Sequence, residues 1–173
     1  IGNVVYPDKL SEKYNVSIDC IRYVMFRQMP FGNDGDFSEK IFVKKVNKEL
    51  ADVLGNLVGR SMTLFKKYND SKIPKGKKDK SFKKYYSKIL KEYKESMEKL
   101  DYFNALSLAF SLMQKTNKYM NDKKPWKLKK EDKKELNNIL YNIAQALNAI
   151  SCLIYPFMPE TSKKIDNQLK IKK

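Results

Sequence analysis

Residues 36–68 read DFSEKIFVKKVNKELADVLGNLVGRSMTLFKKY, and the predicted fold follows from this segment. Its apolar residues recur at steps of three and four, which is the period of one face of an α-helix. The pattern predicts one helix over residues 38–67, with Asp36 or Ser38 capping its first turn. A helix of this length is unusual in a small domain. The predicted stripe consists of Phe42, Val46, Leu50, Val53, Leu57, Ser61 and Leu64.

Asn56 and Arg60 lie one turn apart on this helix, at the margin of the apolar stripe. Their side chains are expected to point neither into the core nor fully away from it, so the pair can present an amide and a guanidinium. Gly55 and Gly59 are predicted on the far side of the helix, where each costs about 1 kcal/mol relative to alanine. Two explanations stay open, namely the close approach of a neighbour or a tolerated cost.

The same period recurs along the rest of the chain. It predicts helices over residues 8–14, 17–29, 81–97, 101–121 and 131–154, followed by a short last helix. Ile18, Leu90 and Phe103 are assigned to the apolar faces of three of these helices. Residues 1–5 are expected to form a strand or an extended lead-in, and the lysine-rich residues 71–81 an exposed connector of low order. Together these elements predict an all-α fold, an antiparallel helical bundle with shorter helices at its N-terminal end.

The composition combines 42% hydrophobic residues with a net charge of +16, from 36 basic and 20 acidic residues. A chain of 173 residues can bury one core, so one main domain is expected. The charge favours a polyanionic partner such as nucleic acid, although an AT-rich genome would also produce a lysine-rich protein. The sequence contains no secretory signal peptide and no apolar run of about 18 residues, which predicts a soluble chain without a membrane partner. Cys20 and Cys152 are expected to be buried free thiols.

No catalytic constellation is found in the sequence. Histidine is absent, which excludes the catalytic dyads and metal sites that depend on it. The cysteines are not spaced for zinc, and the glycines form neither a phosphate-binding loop nor a dinucleotide fingerprint. Asp34, Asp36 and Ser38 alternate as in a calcium loop, but the full pattern of about twelve residues with its terminal Glu is missing, so no metal is expected. Recognition is therefore the predicted role.

Pro125 and Trp126 occupy the short connection between two of the predicted long helices. One interpretation is that the lone tryptophan covers the end of the core. The other is that the indole, fixed behind the proline and surrounded by five lysines at positions 123–130, stacks on an unpaired RNA base. In that case Asn56 and Arg60 could hydrogen-bond to base edges, whereas their ordinary interpretation is a surface amide and a surface ion pair.

Five motifs occur in the order and approximate spacing of the C-terminal part of methionyl-tRNA synthetases: IGNVV, PFGNDGDFS, DVLGNLVGR, NKYMNDKKPW and PFMPET. The sequence resembles this family over nearly its whole length. The resemblance implies a class I synthetase anticodon-binding helical bundle at residues 37–173, preceded by a stem-contact segment at residues 1–36. It implies that Asn56, Arg60 and Trp126 read the CAU anticodon of methionine tRNA, with Pro125 shaping the corner. The implied compartment is the cytoplasm, with an organelle as the alternative.

The nucleotide-binding signatures of the family, HIGH and KMSKS, are absent from the sequence. In the family, KMSKS lies immediately before the segment that corresponds to Ile1-Gly2-Asn3. We therefore expect an N-terminal catalytic domain, which binds ATP and methionine, to be the partner of this chain in a longer enzyme. The chain alone is expected to bind no cofactor and neither to activate methionine nor to charge tRNA. The competing hypothesis is a basic helical scaffold or protein-interaction module with non-specific RNA affinity.

Overall fold

The computed structural model describes residues 5–28, 32 and 37–170. These residues confirm the all-α bundle, and they contain no strand. The helices are α1 (Pro7–Tyr14), α2 (Ile18–Gln28), α3 (Glu39–Lys45), a π-helical segment (Val46–Gly55), α4 (Asn56–Asn69), α5 (Lys80–Glu98), α6 (Tyr102–Lys123), α7 (Lys133–Ile154) and α8 (Pro159–Leu169). Two 3₁₀ turns, Pro125–Lys127 and Lys130–Asp132, connect α6 to α7. Most of the predicted lead-in at residues 1–5, and the calcium-like Asp34 and Asp36, lie outside the described residues.

Helix α7 is the centre of the core. It contacts α4, α5, α6 and α8, and it is buried over most of its surface. A helix that is apolar on more than one face is stable only when other helices cover it. Its predicted stripe is confirmed as buried throughout: Leu136, Ile139, Leu140, Ile143, Leu147, Ile150 and Ile154.

The predicted long helix is a continuous rod whose middle part is π-helical. Helix α3, the π segment and α4 follow one another without a break over residues 39–69. Because the N–H groups of a π-helix bond five residues back instead of four, the predicted spacing of the stripe fails there. Leu54 is buried, whereas Leu50 and Val53 are only half-buried. Ser38 lies at the start of the rod, but its side chain makes no capping hydrogen bond, so the cap predicted for Ser38 is wrong. Asp36, the alternative cap, lies outside the described residues.

Several side chains that the pattern assigned to the core are exposed. Ile18 is 49% exposed, Leu90 44% and Phe103 38%. Ile18 and Phe103 belong to first helical turns, where few neighbours cover an apolar face. Cys152 is exposed and Cys20 is half-buried, so both are free thiols as predicted, but their predicted burial is wrong. The apolar face of a helix can therefore be longer than the part of it that neighbouring helices bury.

The connector between α4 and α5 is docked on α7 through side-chain amides. Asn142 of α7 donates to the backbone carbonyl of Lys77 at 2.9 Å and accepts from the backbone N–H of Asp79 at 2.9 Å. Asn138 accepts from the backbone N–H of Lys77 at 2.7 Å. These bonds give the connector backbone fixed partners, so the expectation of low order is wrong for it, while its lysine side chains are exposed as predicted.

Replacing Gly76 in the connector by alanine should destabilise the fold. The added Cβ would lie 2.6 Å from the Cβ of Tyr141 and 2.9 Å from the backbone carbonyl oxygen of Asn137. Neither atom is the end of a flexible side chain, so the connector would have to move away from α7. We expect the free energy of unfolding, measured by urea denaturation, to fall by about 1–3 kcal/mol.

The matched control is Gly59→Ala in α4, where an added Cβ meets no atom within 4 Å. Helix propensity predicts a gain of up to about 1 kcal/mol for that variant. A Gly76→Ala protein as stable as the wild type would show that the connector does not approach α7 this closely.

Candidate nucleic-acid interface

The residues singled out in the sequence converge on a concavity between α4 and the corner that joins α6 to α7. We call this concavity the α4 groove. It is lined by Gly55, Asn56, Gly59, Arg60, Thr63, Leu64, Met120 and Trp126. Three of the four predicted site residues thus face one open depression, although they come from segments far apart in the chain.

The fourth predicted residue, Pro125, lies behind Trp126 and shapes the corner. Lys124 ends α6 in the left-handed conformation, with φ of 44°. Pro125 then starts the 3₁₀ turn, since its fixed φ suits a first helical position. Its side chain is buried. Trp126 follows and remains 40% exposed. The proline, more than the tryptophan, covers the end of the core, so a large part of the indole is available to a ligand.

Arg60 links α4 to the tryptophan and to α6. Its guanidinium carbon lies 5.6 Å from the centroid of the Trp126 ring, within the range of a cation–π interaction. Its Nη2 donates to Oδ1 of Asn121 at 2.7 Å. The partners of Arg60 are therefore the side-chain amide of Asn121 and the ring of Trp126. They are not the carboxylate that a surface ion pair would require. These contacts orient the planar guanidinium, whose five N–H donors exceed what one amide oxygen can accept.

Asn56 is exposed at the start of α4, directly after the π segment. Its Nδ2 donates to the backbone carbonyl of Asp52 at 3.0 Å, one turn earlier. This bond holds the amide against the helix surface. Asn56 and Arg60 also border a second depression, on the α6 side of the groove. The two residues thus form a polar ridge between the groove and that depression.

Sequence reasoning missed the polar residues that α6 contributes to this depression. Gln114, Asn117 and Asn121 line it together with Asn56 and Arg60. Asn117 also donates to the backbone carbonyl of Val53 at 3.3 Å, which joins α6 to the π segment. Their spacing of three and four residues is a helical signal, and it could have been found as a polar stripe beside the apolar one.

The two glycines lie in the groove, so their predicted position on the far side of the helix is wrong. Gly55 and Gly59 both line the groove beside Asn56 and Arg60. An added Cβ at Gly59 would meet no atom within 4 Å, so no neighbouring element requires a glycine there. Without side chains at these two positions, part of the groove is formed by the α4 backbone itself.

Basic residues surround the tryptophan corner. Lys123, Lys124, Lys127 and Lys129 are all exposed. Such a concentration of cations next to an exposed aromatic ring is suited to a single-stranded polyanion. Over residues 5–28, 32 and 37–170, no helix is both long and apolar enough to cross a bilayer.

Two protein families match the chain over adjoining regions. The family described as tRNA synthetases class I (M) matches residues 1–62. The family described as anticodon binding domain of methionyl tRNA ligase matches residues 68–173. The second match covers more than half of the sequence, including α5 to α8 and the tryptophan corner.

Curated relatives include methionine–tRNA ligases of two bacteria. The chain is 40% identical over 176 residues to that of Caldanaerobacter subterraneus subsp. tengcongensis, covering 98% of this chain and 27% of the relative. It is 39% identical over 174 residues to that of Lactococcus lactis subsp. lactis, covering 97% and 26%. The chain therefore spans about a quarter of the length of these relatives.

A solved structure shares the fold. The free form of Mycobacterium tuberculosis methionyl-tRNA synthetase superposes with a TM-score of 0.86 at 27% sequence identity. The superposition covers 95% of this chain and 34% of that one.

Proposed function

Because the chain belongs to the family of anticodon-binding domains of methionyl-tRNA ligase, we propose that its α4 groove reads the CAU anticodon of methionine tRNA. The observation that supports this most is the convergence of Asn56, Arg60 and Trp126 on one exposed concavity. An anticodon loop presents unpaired bases, which proteins recognise by stacking and by hydrogen bonds to base edges. The groove offers one aromatic ring for stacking and two polar groups for base edges.

Each of the three side chains has a separate task in this proposal. The exposed face of Trp126 stacks on one splayed base of the anticodon. Arg60, oriented by Asn121, donates to carbonyl or ring-nitrogen acceptors on a neighbouring base. Asn56 carries both a donor and an acceptor, and an amide of this kind can pair with the edge of adenine.

A basic helical scaffold with non-specific RNA affinity is the alternative function. Its binding would come from phosphate contacts alone and would be independent of the base sequence. A scaffold does not require an open groove that brings an amide, a guanidinium and an indole together. The convergence therefore favours the anticodon reader.

We further propose that the chain acts within a longer methionine–tRNA ligase in the cytoplasm. Its span of about a quarter of its curated relatives supports this. The catalytic part of such an enzyme would bind ATP and methionine, and the segment at residues 1–36 would contact the tRNA stem. The chain alone should then show no methionine-dependent exchange of pyrophosphate into ATP. Exchange by the purified chain would contradict this part of the proposal.

Competition binding tests the anticodon proposal directly. The wild-type chain is titrated at near-physiological salt with a labelled stem-loop that carries CAU, against unlabelled stem-loops with CAU or with a swapped anticodon. We expect CAU to compete clearly better, because both stem-loops have the same phosphates and differ only at the bases. Equal competition would mean that the isolated chain does not read the anticodon.

A further inference from the structure

A second basic surface lies on the connector between α4 and α5, which contributes no residue to the lining of the α4 groove. Residues 72–80 read KIPKGKKDK and contain five lysines and one aspartate. All five lysine side chains are exposed. Within the described part of the chain, no carboxylate lies within 4.0 Å of any of these ammonium groups. We propose that this connector binds the phosphate backbone of the RNA whose unpaired bases enter the α4 groove.

The connector holds its charges on a fixed backbone. Asn138 and Asn142 of α7 bond to the backbone of Lys77 and Asp79, and Pro74 is buried. Gly76 lies in direct contact with α7, where even a Cβ would collide. A fixed backbone loses less conformational entropy when it binds a ligand than a flexible lysine-rich loop would.

The connector is adjacent to the tryptophan corner. Asp79 caps α5 by accepting from the backbone N–H groups of Ser81 and Phe82 at 2.9 and 3.1 Å. The pKa of Asp79 lies below its usual range, mainly through the hydrogen bond from the Ser81 hydroxyl, and the charge of Lys123 contributes. Lys123 is the last residue of α6, three positions before Trp126. Lys123 is therefore near enough to Asp79 to affect its pKa, and it is also one of the exposed cations around the corner.

The packing of the helices supports the same placement. The ring of Phe82, in the first turn of α5, lies 5.4 Å from the ring of Tyr119, in the last turns of α6. This contact places the start of α5, and with it the end of the connector, beside the end of α6. An RNA held at the corner would thus have its backbone close to the connector.

Phosphate is the ligand chemistry that this surface suits. Lysine binds phosphate as a point charge, without the planar geometry that arginine imposes. Contacts of this kind position a nucleic acid but carry no information about its bases. The inference rests on the proposed function in taking RNA as the polyanion and the α4 groove as the place where its bases bind, whereas its test is independent of anticodon preference.

The chain contains a matched set of control lysines on α5. Lys88, Lys91 and Lys94 are also exposed, but each forms an ion pair with the glutamate one turn later. The three N–O distances are 3.7, 4.0 and 3.8 Å. Their charge is already partly offset, so they should contribute less to RNA binding than the connector lysines.

The test compares two triple variants with equal loss of lysine charge. In the first, Lys75, Lys77 and Lys78 are replaced by Gln, which leaves the backbone bonds of the connector in place. We expect binding of the CAU and the swapped stem-loops to weaken equally, by roughly tenfold at 0.1 M salt, and the slope of log K against log salt to decrease by about 2. In the second, Lys88, Lys91 and Lys94 are replaced by Gln, and we expect a change of less than about twofold.

The outcomes separate this inference from the proposed function. Equal effects of the two triple variants on affinity and salt slope would overturn the inference, because net charge alone would then explain binding. A connector variant that binds RNA like the wild type would also overturn it. Absence of CAU preference in the wild-type chain, with the connector variant still selectively weakened, would contradict the anticodon proposal and leave the phosphate surface supported. Thermal melts of both variants confirm that each is folded at the assay temperature.

Discussion

The Trp126→Ala variant should bind the CAU stem-loop about 1–3 kcal/mol more weakly than the wild type, which corresponds to roughly 5- to 150-fold in Kd. The indole is 40% exposed and borders the groove, so its removal takes away a stacking surface without opening the core. It also removes the ring against which the Arg60 guanidinium lies. We therefore expect the preference for CAU over a swapped anticodon to decrease together with the affinity. Fluorescence anisotropy at near-physiological salt measures both quantities.

A surface lysine near the same corner provides the control for Trp126. Lys129 is exposed, and its side chain is expected to act only through its charge. Lys129→Ala should weaken all stem-loops to a similar and smaller extent and reduce the salt slope by about 1. If Trp126→Ala and Lys129→Ala gave equal losses across every anticodon, stacking would have no special role and the division of tasks in the groove would be wrong.

The Glu49→Ala variant should lose about 2–4 kcal/mol of folding free energy, the largest effect on stability that we predict. Glu49 lies in the π segment and accepts from the hydroxyl of Tyr23 at 2.6 Å. Its Oε2 is also 3.3 Å from Nε of Arg27, which makes an ion pair. The two groups are not aligned for a hydrogen bond. Tyr23 is 1% exposed, and burial, followed by the bond to Glu49, raises the pKa of its hydroxyl. Without Glu49, the buried hydroxyl of Tyr23 loses its acceptor, and the largely buried guanidinium of Arg27 loses the carboxylate that balances its charge.

Urea denaturation measures this loss, and two variants serve as controls. Glu49→Gln retains an acceptor for Tyr23 and should show an intermediate loss. Asp52→Ala removes an acidic residue from the same π segment, where it forms an exposed ion pair with Lys48 at 3.1 Å. That loss should stay below about 1 kcal/mol. An equal loss for Glu49→Ala and Asp52→Ala would show that the contacts between α2 and the π segment contribute little to stability.

The contacts of Glu49 and Arg27 also connect the core to the α4 groove, because the π segment that contains Glu49 leads directly into Asn56. Arg27 of α2 donates through Nη1 to the hydroxyl of Ser107 in α6 at 2.9 Å, so the network joins α2, the π segment and α6. The π segment ends at Gly55, immediately before Asn56. The bond from Tyr23 and the ion pair with Arg27 join the π segment to α2, so we expect their loss to displace the end of this segment and with it Asn56. π-helical turns are frequent at functional sites. Glu49→Ala should therefore lower CAU affinity further than its folded fraction explains.

The starts and ends of most helices could be predicted from the sequence because they depend on local interactions. Asn15 ends α1 in the left-handed conformation, and Asp101 caps α6 by accepting from the backbone N–H of Asn104. Pro159 starts α8. The apolar period of α7 was sufficient to predict its buried face. The candidate residues Asn56, Arg60 and Trp126 could also be found, from residue type and from motif resemblance, and their role in reading the anticodon stays a prediction.

Only the tertiary structure decided how distant segments meet. The bond from Arg60 to Asn121 and its contact with Trp126 join residues about sixty positions apart, a distance at which local periodicity carries no information. The docking of the connector depends on Asn142, an amide whose partners in the connector lie more than sixty residues away. The π segment is likewise joined to α2 by the bond from Tyr23 to Glu49, two residues that lie 26 positions apart. The sequence thus determined which helices form and which faces are apolar, because those properties arise within a few residues, whereas the groove and the docked connector arise from packing between helices.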